Sequence, residues 1–198
     1  MNIRRSIVYF SLFPIFLFSC SSPENDELLE KLDETLENKA VYEGYFRDGV
    51  RVLKDVLSEQ TEPEQIYSLD IRIADYYRKY SLDSTLAYLG KGRSVAERIG
   101  ALEKVAAADF RMAVVYVKAG YHVEAADILN RYRGRAIPDG MLREYYGAEH
   151  AYWGETMAYT SASEFYDDKL SRRDAFRELL LAMTEEETWE WYNLKREE

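Results

Sequence analysis

The sequence holds a single cysteine, Cys20, in 198 residues, so no disulfide can form within the chain. Histidine is also scarce, with two residues, and the sequence contains no HExxH motif and no Gly-rich phosphate loop. We therefore predict no metal site, no cofactor and no enzyme activity. Carboxylates are numerous, which leaves a paired-carboxylate glycosidase formally open, but no motif selects two of them.

Basic residues are few: 26 stand against 36 acidic residues, which gives a formal net charge of −10. This balance argues against nucleic acid as a partner, because its recognition requires a basic patch. The sequence also lacks the strict alternation of apolar and polar residues that predicts strands. What it has is helical periodicity along its length, and we predict an all-α fold of antiparallel helical hairpins.

The N-terminus carries the pattern of a secretory signal peptide. Arg4 and Arg5 precede the apolar segment 7–18, and a small serine stands before Cys20. The apolar segment is too short to cross a bilayer. Residues 17–20, LFSC, resemble the bacterial lipobox, so we predict that Cys20 is lipidated and that several acyl chains anchor the protein. The alternative is an ordinary secreted protein with an unused cysteine.

Glycines and capping motifs divide the rest of the chain into helices. Gly100, Gly120 and Gly134 each follow a predicted helix, where glycine suits the left-handed conformation that ends it. Ser or Thr three residues before Glu predicts helix starts at 61–64, 161–164 and 184–187. The predicted segments are a signal peptide at 1–19, a linker at 20–26, a helical pair at 27–60, about three helix pairs at 61–183 and a C-terminal helix at 184–198.

A pattern of small and large residues spans 109–138, in two helices joined at Gly120. Its members are Met112, Ala113, Tyr116, Ala125, Leu129 and Pro138. This segment resembles a tetratricopeptide repeat, and Ala74, Tyr77, Thr85 and Leu89 repeat the pattern more loosely. The resemblance implies that the helix pairs stack as a short tetratricopeptide-like array; the alternative is a generic helical bundle.

A wider resemblance is carried by the segments ELLEKLDETLENKAVYEGYFRDGVRVLKD, YYRKYSLDSTLAYLGKGRSVAERIG and YGAEHAYWGETMAYTSASEFYDDKLSRRDAFRELL. They are similar to the N-terminal half of a Bacteroidota family of envelope-located tetratricopeptide-type regulators. In that family further repeats, a transmembrane helix and a cytoplasmic DNA-binding region follow. The resemblance implies a sensor or interaction domain outside the cytoplasm. This chain differs by its lipobox and by stopping at Glu198, which keeps a truncated sensor domain open as an alternative.

Two candidate sites follow from the helix pairs. The first helix of each repeat lines the concave groove where partners commonly bind, and in that register we expect Asp75, Arg78, Lys79, Val114, Val117 and Lys118 to face a protein or peptide partner. The second candidate is a ligand patch of aromatic residues, which stack on sugars, formed by Tyr145, Tyr146, His150 and Trp153. The alternative for this patch is that its aromatic residues form the repeat core.

The sequence thus predicts a non-catalytic, membrane-tethered helical-repeat protein that mediates protein–protein interaction or envelope sensing. We expect it in the cell envelope, lipid-anchored on the periplasmic side or the outer surface of a Gram-negative membrane. A glycan-binding surface lipoprotein is the alternative function, and the glycan would be a second kind of partner.

Overall fold

The computed structural model describes residues 23–196, and the side chains of 26–196. The predicted signal peptide and the predicted lipidation site, Cys20, lie outside the described residues. None of the helices within 23–196 has both the length and the apolar character needed to cross a membrane.

The described residues form helices joined by turns and loops, with no strand, so the prediction of an all-α fold is confirmed. Residues 23–196 contain nine α-helices and one short 3₁₀ turn, Asp139–Met141. The α-helices are α1 (Pro23–Glu37), α2 (Lys39–Glu59), α3 (Pro63–Tyr77), α4 (Leu82–Arg98), α5 (Leu102–Lys118), α6 (His122–Asn130), α7 (Leu142–Ala158), α8 (Tyr166–Ala182) and α9 (Trp189–Arg196).

Three antiparallel hairpins form the body of the molecule. The first hairpin is α3–α4, the second is α5–α6 and the third is α7–α8, and the helices within each hairpin pack together. The second hairpin packs on the first through α4 and α5, and the third packs on the second through α5 and α7. This order of contacts is that of a stacked helical-repeat array, as predicted.

The chain divides into two compact units inside α2, between Tyr45 and Phe46. The described part of the first unit consists of α1 and the start of α2, and its apolar side chains are largely exposed. These side chains are Leu28, Leu29, Leu32, Leu36, Val41, Tyr42 and Tyr45. The second unit contains the rest of α2, the three hairpins and α9.

Small residues let the paired helices approach each other closely. Ala74, Ala113 and Ala125 are at most 2% exposed. Large side chains fill the remaining space, and Phe110 and Leu129 are the largest apolar ones buried between the second and third hairpins. Three members of the repeat pattern, Ala113, Ala125 and Leu129, therefore lie in the packed interior of the array.

The predicted glycine stops at Gly100 and Gly120 are confirmed, whereas the predicted capping boxes are not. The predicted stop at Gly134 is wrong, because α6 already ends at Asn130 and a turn separates it from the glycine. Gly100, Gly120 and Gly134 have φ angles of 69°, 86° and 74°, the left-handed conformation that glycine adopts most readily. Helix α3 starts at Pro63 without a side-chain cap, and the proline itself has no N–H to satisfy. Helix α9 is capped later than predicted, by Thr188, whose Oγ1 accepts a hydrogen bond from the Trp191 N–H at 3.2 Å.

Candidate functional site

The first helices of the three hairpins, α3, α5 and α7, line a groove with an apolar floor. A cavity of about 630 Å³ lies in it. Its floor is formed by Ala74, Leu89, Phe110, Val114, Val115 and Ala148. Because these residues belong to the stacked interiors of the hairpins, the floor is fixed by the same packing that builds the array.

Charged side chains form the rim of this cavity. Arg111 Nη1 of α5 donates a hydrogen bond to Asp75 Oδ2 of α3 at 3.1 Å, and this ion pair joins the first and second hairpins. Glu144 of α7 and Arg78 of α3 also line the cavity. Both members of the ion pair are about half exposed, so solvent screens their attraction.

A second cavity of about 380 Å³ continues the groove toward the ends of α3 and α5. It shares Arg78, Val114 and Val115 with the first cavity, and Lys79 and Lys118 complete its charged lining. No acidic residue of the described chain lines this second cavity. The groove therefore has a mixed-charge part and a cationic end, and we call the two cavities together the hairpin groove.

Five of the six predicted partner-binding residues line the hairpin groove: Asp75, Arg78, Lys79, Val114 and Lys118. Val117 does not, and that expectation is wrong. It is 1% exposed, because it follows Ala113 by four residues and shares the inward face of α5.

Two charged groove residues were missed from the sequence, Arg111 and Glu144. Arg111 stands three residues before Val114 and so shares its helix face, which is a signal that the repeat register contains. Glu144 lies in the third hairpin, where the repeat pattern is too degenerate to assign a register.

The aromatic residues of the predicted ligand patch make internal contacts. Tyr145 and Tyr146 pack around Phe176 of α8, with ring centroids 6.1 and 5.9 Å from it. Trp153 Nε1 donates a hydrogen bond to Glu149 Oε2 at 3.0 Å. His150 instead lines a separate cavity with Lys118, Gly154 and Arg173. The contacts with Phe176 and Glu149 lie within the third hairpin, where the aromatic residues serve mainly as internal packing.

A buried carboxylate of the second hairpin holds its neighbours together. Asp109 of α5 is 1% exposed and accepts hydrogen bonds from Arg93 Nε at 2.7 Å, Arg131 Nη2 at 3.2 Å and Tyr132 Oη at 2.6 Å. Burial, followed by the hydrogen bond to Asp109, raises the pKa of the Tyr132 hydroxyl, which therefore stays a donor. Arg93 belongs to α4, so this cluster joins the first hairpin to the second.

The third hairpin contains a corresponding cluster around Glu149 of α7, which is fully buried. Arg133 donates to both of its oxygens, with Nε–Oε1 and Nη2–Oε2 distances of 2.7 Å. The Arg133 guanidinium also lies 5.1 Å from the centre of the Trp153 ring. Burial and the charge of Glu149 raise the pKa of Tyr145 to about 12. The two clusters keep the groove-lining helices in place.

A comparison with known protein families shows which family the chain resembles. Residues 36–198 match the family model described as the SusR N-terminal TPR domain. The chain belongs to this family. The predicted resemblance to a tetratricopeptide-type regulator is therefore confirmed. The chain matches none of the curated proteins and none of the solved structures with which it was compared.

Membership of this family indicates the general role of the domain. Domains of the tetratricopeptide type are helical-repeat modules for protein–protein interaction, and they are generally non-catalytic. The concave groove along the first helices of the repeats is the surface that such an array offers to a partner.

Proposed function

We propose that this domain is an interaction module of the cell envelope whose hairpin groove binds an extended, acidic segment of a partner protein. The observation that carries the proposal is the combination of a continuous apolar floor with a cationic end. An extended peptide can place alternate side chains on the floor while its acidic groups meet the cations.

The charge at the cationic end opposes that of the whole chain. The protein has a formal net charge of −10, yet Arg78, Lys79 and Lys118 line one cavity together. None of these three side chains forms an ion pair with another described residue. Their charges are therefore available to a partner. Because the rest of the protein repels an acidic partner at long range, the match between its acidic groups and these three cations decides whether it binds.

A defined peptide pair tests the charge preference. We expect a fluorescent decapeptide that alternates leucine and glutamate to bind the domain more tightly than its leucine–lysine counterpart, with an affinity that falls as salt is added. The measurement is fluorescence anisotropy at several salt concentrations. Equal binding of the two peptides, or tighter binding of the lysine peptide, contradicts the proposal.

A pair of charge-reversing variants locates the binding surface. Lys79→Glu with Lys118→Glu should abolish binding of the acidic peptide without lowering the melting temperature, because both side chains are at the surface. The matched control is Lys31→Glu with Lys39→Glu, which makes the same change in net charge at exposed positions of α1 and α2. Equal loss of binding in both double variants would show that net charge alone determines the interaction.

The proposed membrane tether depends on Cys20 and is tested independently. Its support is the signal-peptide pattern and the lipobox-like LFSC segment that ends at Cys20. Cys20→Ala should move the protein from the membrane fraction to the soluble fraction of its own cells, while Ser22→Ala should leave it in place. Membrane retention of the Cys20→Ala variant contradicts the tether and leaves the groove proposal unaffected.

A further inference from the structure

Each of the three hairpins buries one carboxylate at the same position of its first helix. Asp70, Asp109 and Glu149 are the eighth residues of α3, α5 and α7. Their exposed fractions are 2%, 1% and 0%. Asp109 and Glu149 are held by arginine side chains, as described above. Asp70 is the exception, since its Oδ1 is buried and no group in the described chain donates a hydrogen bond to it.

The missing partner of Asp70 can be traced to two sequence positions. Arg93 and Arg133 each stand 16 residues before the carboxylate that they hold. The residue 16 positions before Asp70 is Lys54, and its Nζ donates to Tyr77 Oη at 3.0 Å instead. The first hairpin therefore lacks the donor that the other two receive from the chain segment before their first helix.

The second donor position is empty as well. Arg131 stands 22 residues after Asp109, and the residue 22 positions after Asp70 is Gly92. A Cβ at Gly92 would lie 3.5 Å from Asp70 Cβ, so the glycine faces the aspartate directly but has no side chain to reach it. Neither of the two positions that supply an arginine to Asp109 therefore supplies a hydrogen-bond donor to Asp70.

Asp70 lines an open cavity of about 650 Å³ that is bounded by α3, α4 and Leu57 of α2. Ile66 and Val95 give the cavity apolar walls, and Lys91, Ser94 and Arg98 supply polar groups. Lys91 is near enough for its charge to lower the pKa of Asp70, but burial has the larger effect and raises it to about 6. The cavity therefore combines one buried acceptor with cationic side chains of α4.

We propose that this cavity binds a small zwitterion of the arginine type. Its guanidinium group pairs with Asp70 from the cavity, as the guanidinium groups of Arg93 and Arg131 pair with Asp109. Its carboxylate is met by Lys91 and Arg98. A guanidinium suits the buried carboxylate because it is weakly hydrated and donates two parallel hydrogen bonds. The same chemistry is offered by free arginine and by the C-terminal arginine residue of a peptide.

Isothermal titration calorimetry on the folded domain tests the site. L-arginine should bind at millimolar concentration, and agmatine, which lacks the carboxylate, should bind more weakly. Asp70→Asn should weaken arginine binding by about tenfold or more, because the charge-assisted pair is lost. The control is Asp83→Asn, an exposed aspartate of the same hairpin, which should bind arginine as the wild type does.

A second readout and a second ligand complete the test. Arginine binding should lower the pKa of the Asp70 carboxyl, which is followed by carbon-detected NMR during a pH titration. A short peptide that ends in arginine should compete with free arginine only when its terminal carboxylate is not amidated, and the tighter of the two ligands identifies the source. The proposal is overturned if neither ligand binds the wild type, or if Asp70→Asn leaves the affinity unchanged.

Discussion

The first and second hairpins place an aspartate at the same position of the same helix, yet the two carboxylates have opposite surroundings. Asp109 is held by two arginines and a tyrosine, whereas Asp70 has Lys54 and Gly92 at the positions of those arginines. Both aspartates are buried to the same degree. The same repeat position thus holds either a carboxylate that joins two hairpins through arginine side chains or a buried carboxylate without such a partner. Which of the two it is depends on the residues 16 positions before and 22 positions after it.

The largest effect on stability is expected at Glu149, a buried carboxylate that is held by an arginine as Asp109 is. Glu149→Ala removes the partner of Arg133 and leaves its guanidinium partly buried without a carboxylate, so the free energy of unfolding should fall by about 3–5 kcal/mol. Urea denaturation measures it. The control is Glu144→Ala on the same helix, an exposed position where we expect a change of no more than about 0.5 kcal/mol. Equal small losses in both variants would mean that the Glu149 cluster does not hold the hairpins together.

At Asp70, which lacks such a partner, the charged carboxylate should lower the stability of the fold at neutral pH. The pKa of Asp70 is raised from 3.8 to about 6 by burial. Its contribution to stability is thus fully present below pH 3.8 and is lost as the pH rises through 6. At about 1.36 kcal/mol per pKa unit, the loss amounts to roughly 3 kcal/mol at pH 7.

Asp70→Asn removes that titration. Its free energy of unfolding should exceed that of the wild type by up to roughly 3 kcal/mol at pH 7, with a difference that shrinks as the pH falls toward 4. Urea denaturation at several pH values in each protein gives this difference, in which the titrations of other carboxylates cancel. A difference independent of pH would show that Asp70 keeps an ordinary pKa in the folded state.

Restoring the missing donor should make the first hairpin resemble the second. Lys54→Arg introduces the residue found at the position of Arg93, and we expect the pKa of Asp70 to fall by about one unit, which stabilises the fold by about 1.4 kcal/mol at neutral pH. NMR titration of the Asp70 carboxyl measures the shift. Arg51→Lys, an exposed change on the same helix, is the control. An unchanged pKa would mean that the side chain at 54 stays with Tyr77.

The sequence predicted the hairpins and most of the groove for a simple reason. Helical periodicity, Gly100, Gly120 and Gly134 report on local geometry, and the repeat register then places Asp75, Arg78 and Val114 on one face. The buried clusters around Asp109 and Glu149 were not predicted. Their only signal is a long-range one: an acidic residue that recurs every 39–40 positions with an arginine 16 residues before it. The failure at Asp70 shows why such spacing alone is insufficient, since a lysine at the same position bonds elsewhere.

The smallest effect is expected where charges face solvent. Arg111→Ala breaks the ion pair with Asp75, and because both side chains are about half exposed, it should cost less than about 1 kcal/mol. The same variant should weaken the binding of the acidic peptide, since it leaves the negative charge of Asp75 uncompensated in the groove. Thermal unfolding and fluorescence anisotropy separate the two outcomes. A large loss of stability with unchanged peptide affinity would show that Arg111 stabilises the fold and does not contact the peptide. The peptide-binding part of the hairpin groove would then begin at Arg78.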